Sequence, residues 1–226
     1  MENITKGKCK VASFLVQLNR QFLYHSMWQI KPKALKEDPA LGDELNKKYL
    51  EMVKQALEIA EPAYIYTKLK VNSRGEKLVI YTDDSEIEIE AGFFNGKHLT
   101  EYIPKSETNE KVVMTAQIVT IGHKPVLQAF KYKKDGQYAD LFYWHGFCGA
   151  LTEALASHIH EIGTKALGYD TDSQRFSFGY EVLPSLADQE KILKLIKASD
   201  IGVKMTYGGM ISPEYSTCAL VFYGDL

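Results

Sequence analysis

The strongest constraint on the fold is a helical stripe in the second half of the chain. Leu151, Leu155, Ile159 and Ile162 fall within about 80° of one another at 100° per residue, so they form one buried face. Glu153, Ser157, His160 and Thr164 lie on the opposite face, and Gly168 closes the segment. Around this helix the pattern changes period. Ala63 to Val71, Lys77 to Thr82 and Glu86 to Glu90 are short β-rich runs, the last alternating isoleucine with glutamate. Ser73, Arg74 and Gly75 make the turn between the first two. Val112 to Ile121 is a further strand-like run closed by Gly122, and Gly202 to Thr206 and Ser216 to Tyr223 complete the set.

Other helical signals are weaker. Ser13 to Ile30 is apolar and aromatic with loose helical spacing, and Pro32, Pro39 and Gly42 then mark a loop. Asp43 is the expected cap of the next helix, where Leu45, Tyr49, Met52, Val53, Leu57 and Ala60 recur until Pro62. A short helix is expected near Val126 to Tyr132, before Asp135-Gly136. Ser185 and Asp188 form a capping pair for a last helix with the stripe Ile192, Leu195 and Ile196. Strands and helices cluster rather than alternate regularly. The expectation is therefore a single α+β domain over residues 1–226, with mixed or antiparallel strands.

Composition narrows the function. A chain of 226 residues buries roughly 70% of its unfolded surface, enough to dispense with staples. Cys9, Cys148 and Cys218 lack any CxxC pairing, so neither a disulfide framework nor a zinc site is expected, and a reducing cytoplasm is the simple location. The net charge of −2 argues against nucleic-acid binding by bulk electrostatics. No A-x-A-like cleavage site follows the lysine-rich start, and no run reaches the roughly 18 apolar residues of a membrane helix.

The familiar catalytic fingerprints are missing as well. His158 and His160 lie about 200° apart on a helix and cannot share a metal ion. GxSxG, P-loop and GxGxxG patterns do not occur. His145, inside Phe142-Tyr143-Trp144-His145-Gly146-Phe147, reads as a packed side chain. What remains is Arg175-Phe176-Ser177-Phe178-Gly179-Tyr180. Arg20, Arg74 and Arg175 are the only arginines, so few residues can grip a carboxylate with two prongs. The glycine permits close backbone approach or positive φ, and the tyrosine adds an aromatic wall with a polar tip. Taken alone, the motif reads more readily as a turn capped by an exposed arginine.

Three ordered blocks give it context. The first is Thr152-Glu153-Ala154-Leu155-Ala156 with His160-Glu161. The second is Arg175 to Tyr180, followed by Pro184 and Asp188-Gln189. The third is Ile201-Gly202-Val203-Lys204-Met205-Thr206, then Met210, Pro213 and Ser216. Together they resemble the activation domain of cobalamin-dependent methionine synthase, in its small free-standing versions more than as the terminal module of the full-length enzyme. The likeness is strongest over residues 138–223, with a fainter echo at Ala116 to Gly122.

The resemblance implies a twisted, largely antiparallel sheet flanked by helices, and an accessory role in methionine biosynthesis. Such a domain binds S-adenosylmethionine and docks over the cobalamin carried by its partner, a methionine synthase or related corrinoid protein. An electron from a flavodoxin-like donor and the methyl group of S-adenosylmethionine then restore methylcobalamin. By match to the motif, Arg175 would hold the ligand's carboxylate, and the backbone around Ser177, Phe178 and Gly179, with Tyr180, would line its site. Glu153 would accept from a ligand donor or face its cation.

Departures bear on this expectation. Glu181-Val182-Leu183-Pro184 stands where the family has P-A-C-P, and Thr206-Tyr207-Gly208 stands for T-E-S. An alternative is therefore a corrinoid-protein docking partner of the same fold with lost or altered S-adenosylmethionine binding. A third is an enzyme using His145 or Cys148 on another small molecule.

Overall fold

The alternating runs pair into one antiparallel sheet. The computed structural model describes residues 4–108, 110–166, 168–169 and 172–223. The sheet contains β1 (Thr5–Lys8), β2 (Ala63–Arg74), β3 (Lys77–Tyr81) and β4 (Glu86–Glu90), which are followed by the small hairpin of β5 (Phe93–Phe94) and β6 (Lys97–His98). It continues with β7 (Val112–Thr120), β8 (Ser173–Ser177) and β11 (Ser216–Tyr223), while β9 (Lys204–Met205) and β10 (Ile211–Ser212) pair separately. The order is β4-β3-β2-β7-β11-β8, and β1 pairs with β2. β2 is long enough to take β1 along its start and β3 along its end, with β7 on its other edge.

Register puts every second residue on one face. Ile65 pairs with Ile118 and Ile118 with Cys218; Leu69 pairs with Met114 and Met114 with Phe222. That face packs on Ile192 and Leu193 of α7 (Leu186–Leu195) and on the 3-10 turns at Leu99–Tyr102 and Ala198–Ile201. The other face, with Tyr66 and Val119, carries a second core built by α4 (Pro39–Ile59), α5 (Lys124–Lys134) and α6 (Tyr138–Ala166). The result is an α+β arrangement with helical layers on both faces of an antiparallel sheet. In α6, Leu151, Leu155 and Ile159 are fully buried, whereas Ile162 sits at the border of exposure. The buried Gln117 amide of β7 donates to the Ala156 carbonyl of α6 at 2.8 Å, fixing the helix along the sheet. Among the described residues no helix is long and apolar enough to cross a membrane.

Three local expectations are corrected. The loop expected at Pro32 to Gly42 is helical, as α3 (Pro32–Glu37) runs into α4. Both prolines take the first helical position, where a missing N–H costs nothing. The cap of α4 is Asp38, not Asp43; its Oδ1 accepts from the Ala40 and Leu41 amides at 3.0 and 3.3 Å. In the third case, Gly202 to Thr206 forms only the two-residue strand β9.

The N-terminal segment is broken rather than continuously helical. After α1 (Val11–Phe14) and a 3-10 turn, α2 (Arg20–Phe22) passes into a π turn at Leu23–Met27, with the Trp28 amide donating to Leu23 at 2.8 Å. The wide turn delivers the Trp28 ring into the core, where its Nε1 donates to the Tyr143 carbonyl at 2.9 Å and its ring meets Tyr143 edge-on at 5.0 Å. Trp28 thus fastens the whole segment to α6. Replacing it with alanine is expected to cost about 3–5 kcal/mol. Trp28→Phe, which keeps an aromatic ring but loses the Nε1 donor and part of the indole volume, should cost about 1–3 kcal/mol. Urea unfolding midpoints measure both; equal midpoints for wild type and Trp28→Ala would refute this anchoring role.

Candidate functional site

β8 is the outermost strand of the sheet, and its order of residues decides what meets α6. Arg175 pairs with Val221 and Ser177 with Ala219, on the face that α6 covers. Phe176 points to the other face, packing edge-on against Phe222 at 5.3 Å and Phe94 at 5.0 Å. From α6, Gly149, Thr152 and Glu153 present one side of adjacent turns. Between them opens a cleft of about 660 Å³, whose remaining walls include Tyr180 and Val182, Glu214 to Thr217, and Phe22 and Met27 of the N-terminal segment.

The charges in the cleft are closely matched. Arg175 Nη2 donates to Glu153 Oε2 at 2.6 Å. The arginine side chain is only 18% exposed and the glutamate 46%. Arg175 Nη1 is buried and has no hydrogen-bond partner. A buried donor left unpaired costs about 1–3 kcal/mol, more when charged. The fork therefore has one prong held by the protein and one available for an acceptor.

Two turns further along α6, His160 Nε2 pairs with Ser173 Oγ at 2.7 Å. Burial lowers the His160 pKa, and the Arg175 charge lowers it further. The polar face read from the helix spacing thus lies against β8, bracketing its arginine.

Of the six residues singled out from sequence, four line the cleft: Glu153, Arg175, Ser177 and Tyr180. Phe178 and Gly179 do not. The Phe178 ring is buried in the core on the opposite face. Gly179 takes a φ of +84°, which a side chain would strain, and its amide donates to the Leu183 carbonyl at 2.8 Å. That tight turn throws Tyr180 to the rim, 71% exposed. The two residues shape the wall instead of touching the cavity.

Sequence reasoning missed Phe22, Met27, Glu214 and Tyr215. A signal for Met27 is Gly149, where a Cβ would come within 2.4 Å of Met27 Cε. Tyr215 lies beside Pro213 and Ser216 of the third block. Its hydroxyl pairs with His145 Nδ1 at 2.6 Å and its carbonyl accepts from the Ile121 amide at 3.1 Å. Burial pushes the Tyr215 phenol up. Cys148 is buried beneath, its thiol raised well above the ordinary range by desolvation, so it is held as the poor nucleophile, the neutral thiol.

The family model described as the vitamin B12 dependent methionine synthase, activation domain, matches residues 19–225. The methionine synthase of Mycobacterium tuberculosis (strain ATCC 25618 / H37Rv) is 25% identical over 259 residues, covering 97% of this chain and 22% of that protein. That of Mycobacterium leprae (strain TN) is 28% identical over 138 residues, covering 52% of this chain and 11% of its own. The chain thus spans about a fifth or less of the length of these relatives. Among solved structures, the MetH reactivation domain bound to AdoHcy superposes with a TM-score of 0.82 at 16% identity, over 98% of this chain and 78% of that one. At that identity the likeness is one of fold.

The His160 environment generates a pH test. A histidine whose folded pKa is lowered stays neutral in the native state while the unfolded chain takes up the proton. Its stabilising contribution is full above the ordinary value of 6.5 and is lost as pH falls through the lowered folded value. Relative to His160→Gln, the wild type should lose stability as pH falls below about 6.5. Urea midpoints that fall in parallel for the two proteins would show that His160 does not titrate in this way.

Proposed function

Because this chain belongs to the family of the vitamin B12 dependent methionine synthase activation domain, we propose that its cleft binds S-adenosylmethionine and presents the methyl group to the corrinoid of a methionine synthase. The observation that carries the reading is the Arg175 fork, with Nη2 held by Glu153 and Nη1 buried without a partner. An α-amino acid end matches this pair: its carboxylate takes the open prong of Arg175, and its ammonium shares the Glu153 carboxylate. Ser177 supplies a further hydroxyl. Tyr180, Tyr215, Phe22 and Met27 offer the aromatic and thioether surface that an adenosyl group needs.

The reaction proposed is reductive remethylation. One electron, from a flavodoxin-like donor, and the methyl group of S-adenosylmethionine convert inactive cob(II)alamin on the partner to methylcobalamin, releasing S-adenosylhomocysteine. The corrin supplies the hard chemistry, while this chain's residues bind, orient and shield the methyl donor. We propose further that residues 1–226 act as one domain and work in trans, as a free-standing partner of a synthase lacking its own activation module.

The test combines binding with turnover. Calorimetry should detect S-adenosylmethionine binding, and Arg175→Ala should weaken it about ten- to a hundredfold, the equivalent of about 1.5–3 kcal/mol for charge-assisted bonds. Mixing cob(II)alamin synthase without its activation module, reductant, S-adenosylmethionine and this protein should produce the visible spectrum of methylcobalamin. Association with the synthase without calorimetric binding of S-adenosylmethionine and without methylcobalamin would favour the rival docking role. The absence of both binding and methylcobalamin would end the proposal.

A further inference from the structure

We infer that Glu214 makes the cleft selective for a cationic sulfonium ligand over its neutral thioether product; this rests on reading the cleft as an S-adenosylmethionine site. Among the described residues lining the cleft, two are acidic, Glu153 and Glu214. Glu153 is matched by Arg175 at 2.6 Å. Among the described residues Glu214 approaches His145 Nδ1 at 3.7 Å, a nitrogen engaged by the Tyr215 hydroxyl at 2.6 Å, and it also borders a neighbouring cavity with Lys133. Among the described residues lining the cleft Arg175 is the one cation and it is paired with Glu153, which leaves the Glu214 carboxylate without a cation inside the cleft.

A ligand's zwitterionic amino-acid end adds no net charge to this balance. Its sulfur decides the sum. A sulfonium neutralises the Glu214 charge, while a thioether leaves it unopposed. Position 214 is also held in place, because its neighbour Tyr215 is buried and tied at both its hydroxyl and its carbonyl. The Glu214 side chain is 60% exposed, so water screens its field and the discrimination is modest, on the order of two- to fivefold. The direction suits a methyl-transfer site: once the methyl group has left, the product has lost the charge that held it.

The experiment is titration calorimetry of wild type, Glu214→Gln and Glu214→Lys with S-adenosylmethionine and with S-adenosylhomocysteine, at low ionic strength and in about 0.5 M salt. The wild type should prefer S-adenosylmethionine by about two- to fivefold at low salt. Glu214→Gln should erase that preference, Glu214→Lys should reverse it, and salt should shrink it. S-adenosylhomocysteine binding by the variants reports that their clefts are intact. A ratio unchanged in Glu214→Gln, or a wild type without the preference, overturns this inference alone. A wild type that binds neither ligand overturns the underlying reading of the cleft, and this inference with it.

Discussion

The packing of α6 along the sheet is the constraint on which the other parts depend. Its apolar side, from Trp144 through Leu151 and Leu155 to Ile159, forms the centre of a core shared with α4, α5, Trp28 and the sheet residues Tyr66 and Val119. Gln117 ties the same helix to β7 through the Ala156 carbonyl. Because a helix is rigid over this length, fixing the buried side also fixes the opposite one. Glu153 and His160 are thereby held against Arg175 and Ser173 of β8. The stability of the core and the geometry of the cleft are two faces of one helix.

The cleft itself is not arranged for stability. Arg175 is largely buried with one prong unpaired, and a fully satisfied or apolar arrangement of similar volume would be more stable. The ion pair with Glu153 offsets only part of that cost, since the glutamate is close to half exposed and screened by water. Leaving a donor unpaired in a cavity is the pattern of a binding site, in which the missing acceptor arrives with the ligand. The surrounding walls come from four separate stretches: the N-terminal segment, α6, the strand and turn from Arg175 to Val182, and Glu214 to Thr217.

Legibility in the sequence followed range. Two strands could be read to the residue: Glu86–Glu90 from its strict alternation and Ser216–Tyr223 from its run of β-rich apolar residues agree with the structure at both ends. The helical stripe of α6 was legible because its period is carried by its own residues. Asp38 was missed as a cap because prolines at 32 and 39 suggest a loop, while in the structure each opens a helix. The motif names Phe178 and Gly179 with their neighbours but not where they point: the Phe178 ring packs into the core on the other face, and Gly179 turns the chain with a positive φ. Phe22 and Met27 carry no local pattern that links them to Arg175, since they reach the cleft through the anchoring of Trp28.

The sequence by itself determined the α+β class and the family, and it singled out Arg175, because periodicity and short ordered motifs are properties of neighbouring residues. Only the tertiary structure decided the pairing of Arg175 with Glu153, the orphaned Nη1, and the arrival of Met27, Glu214 and Tyr215 in the same cleft. Those are contacts between residues far apart in the chain, set by how α6 lies on the sheet. No pattern confined to one stretch of chain can encode them.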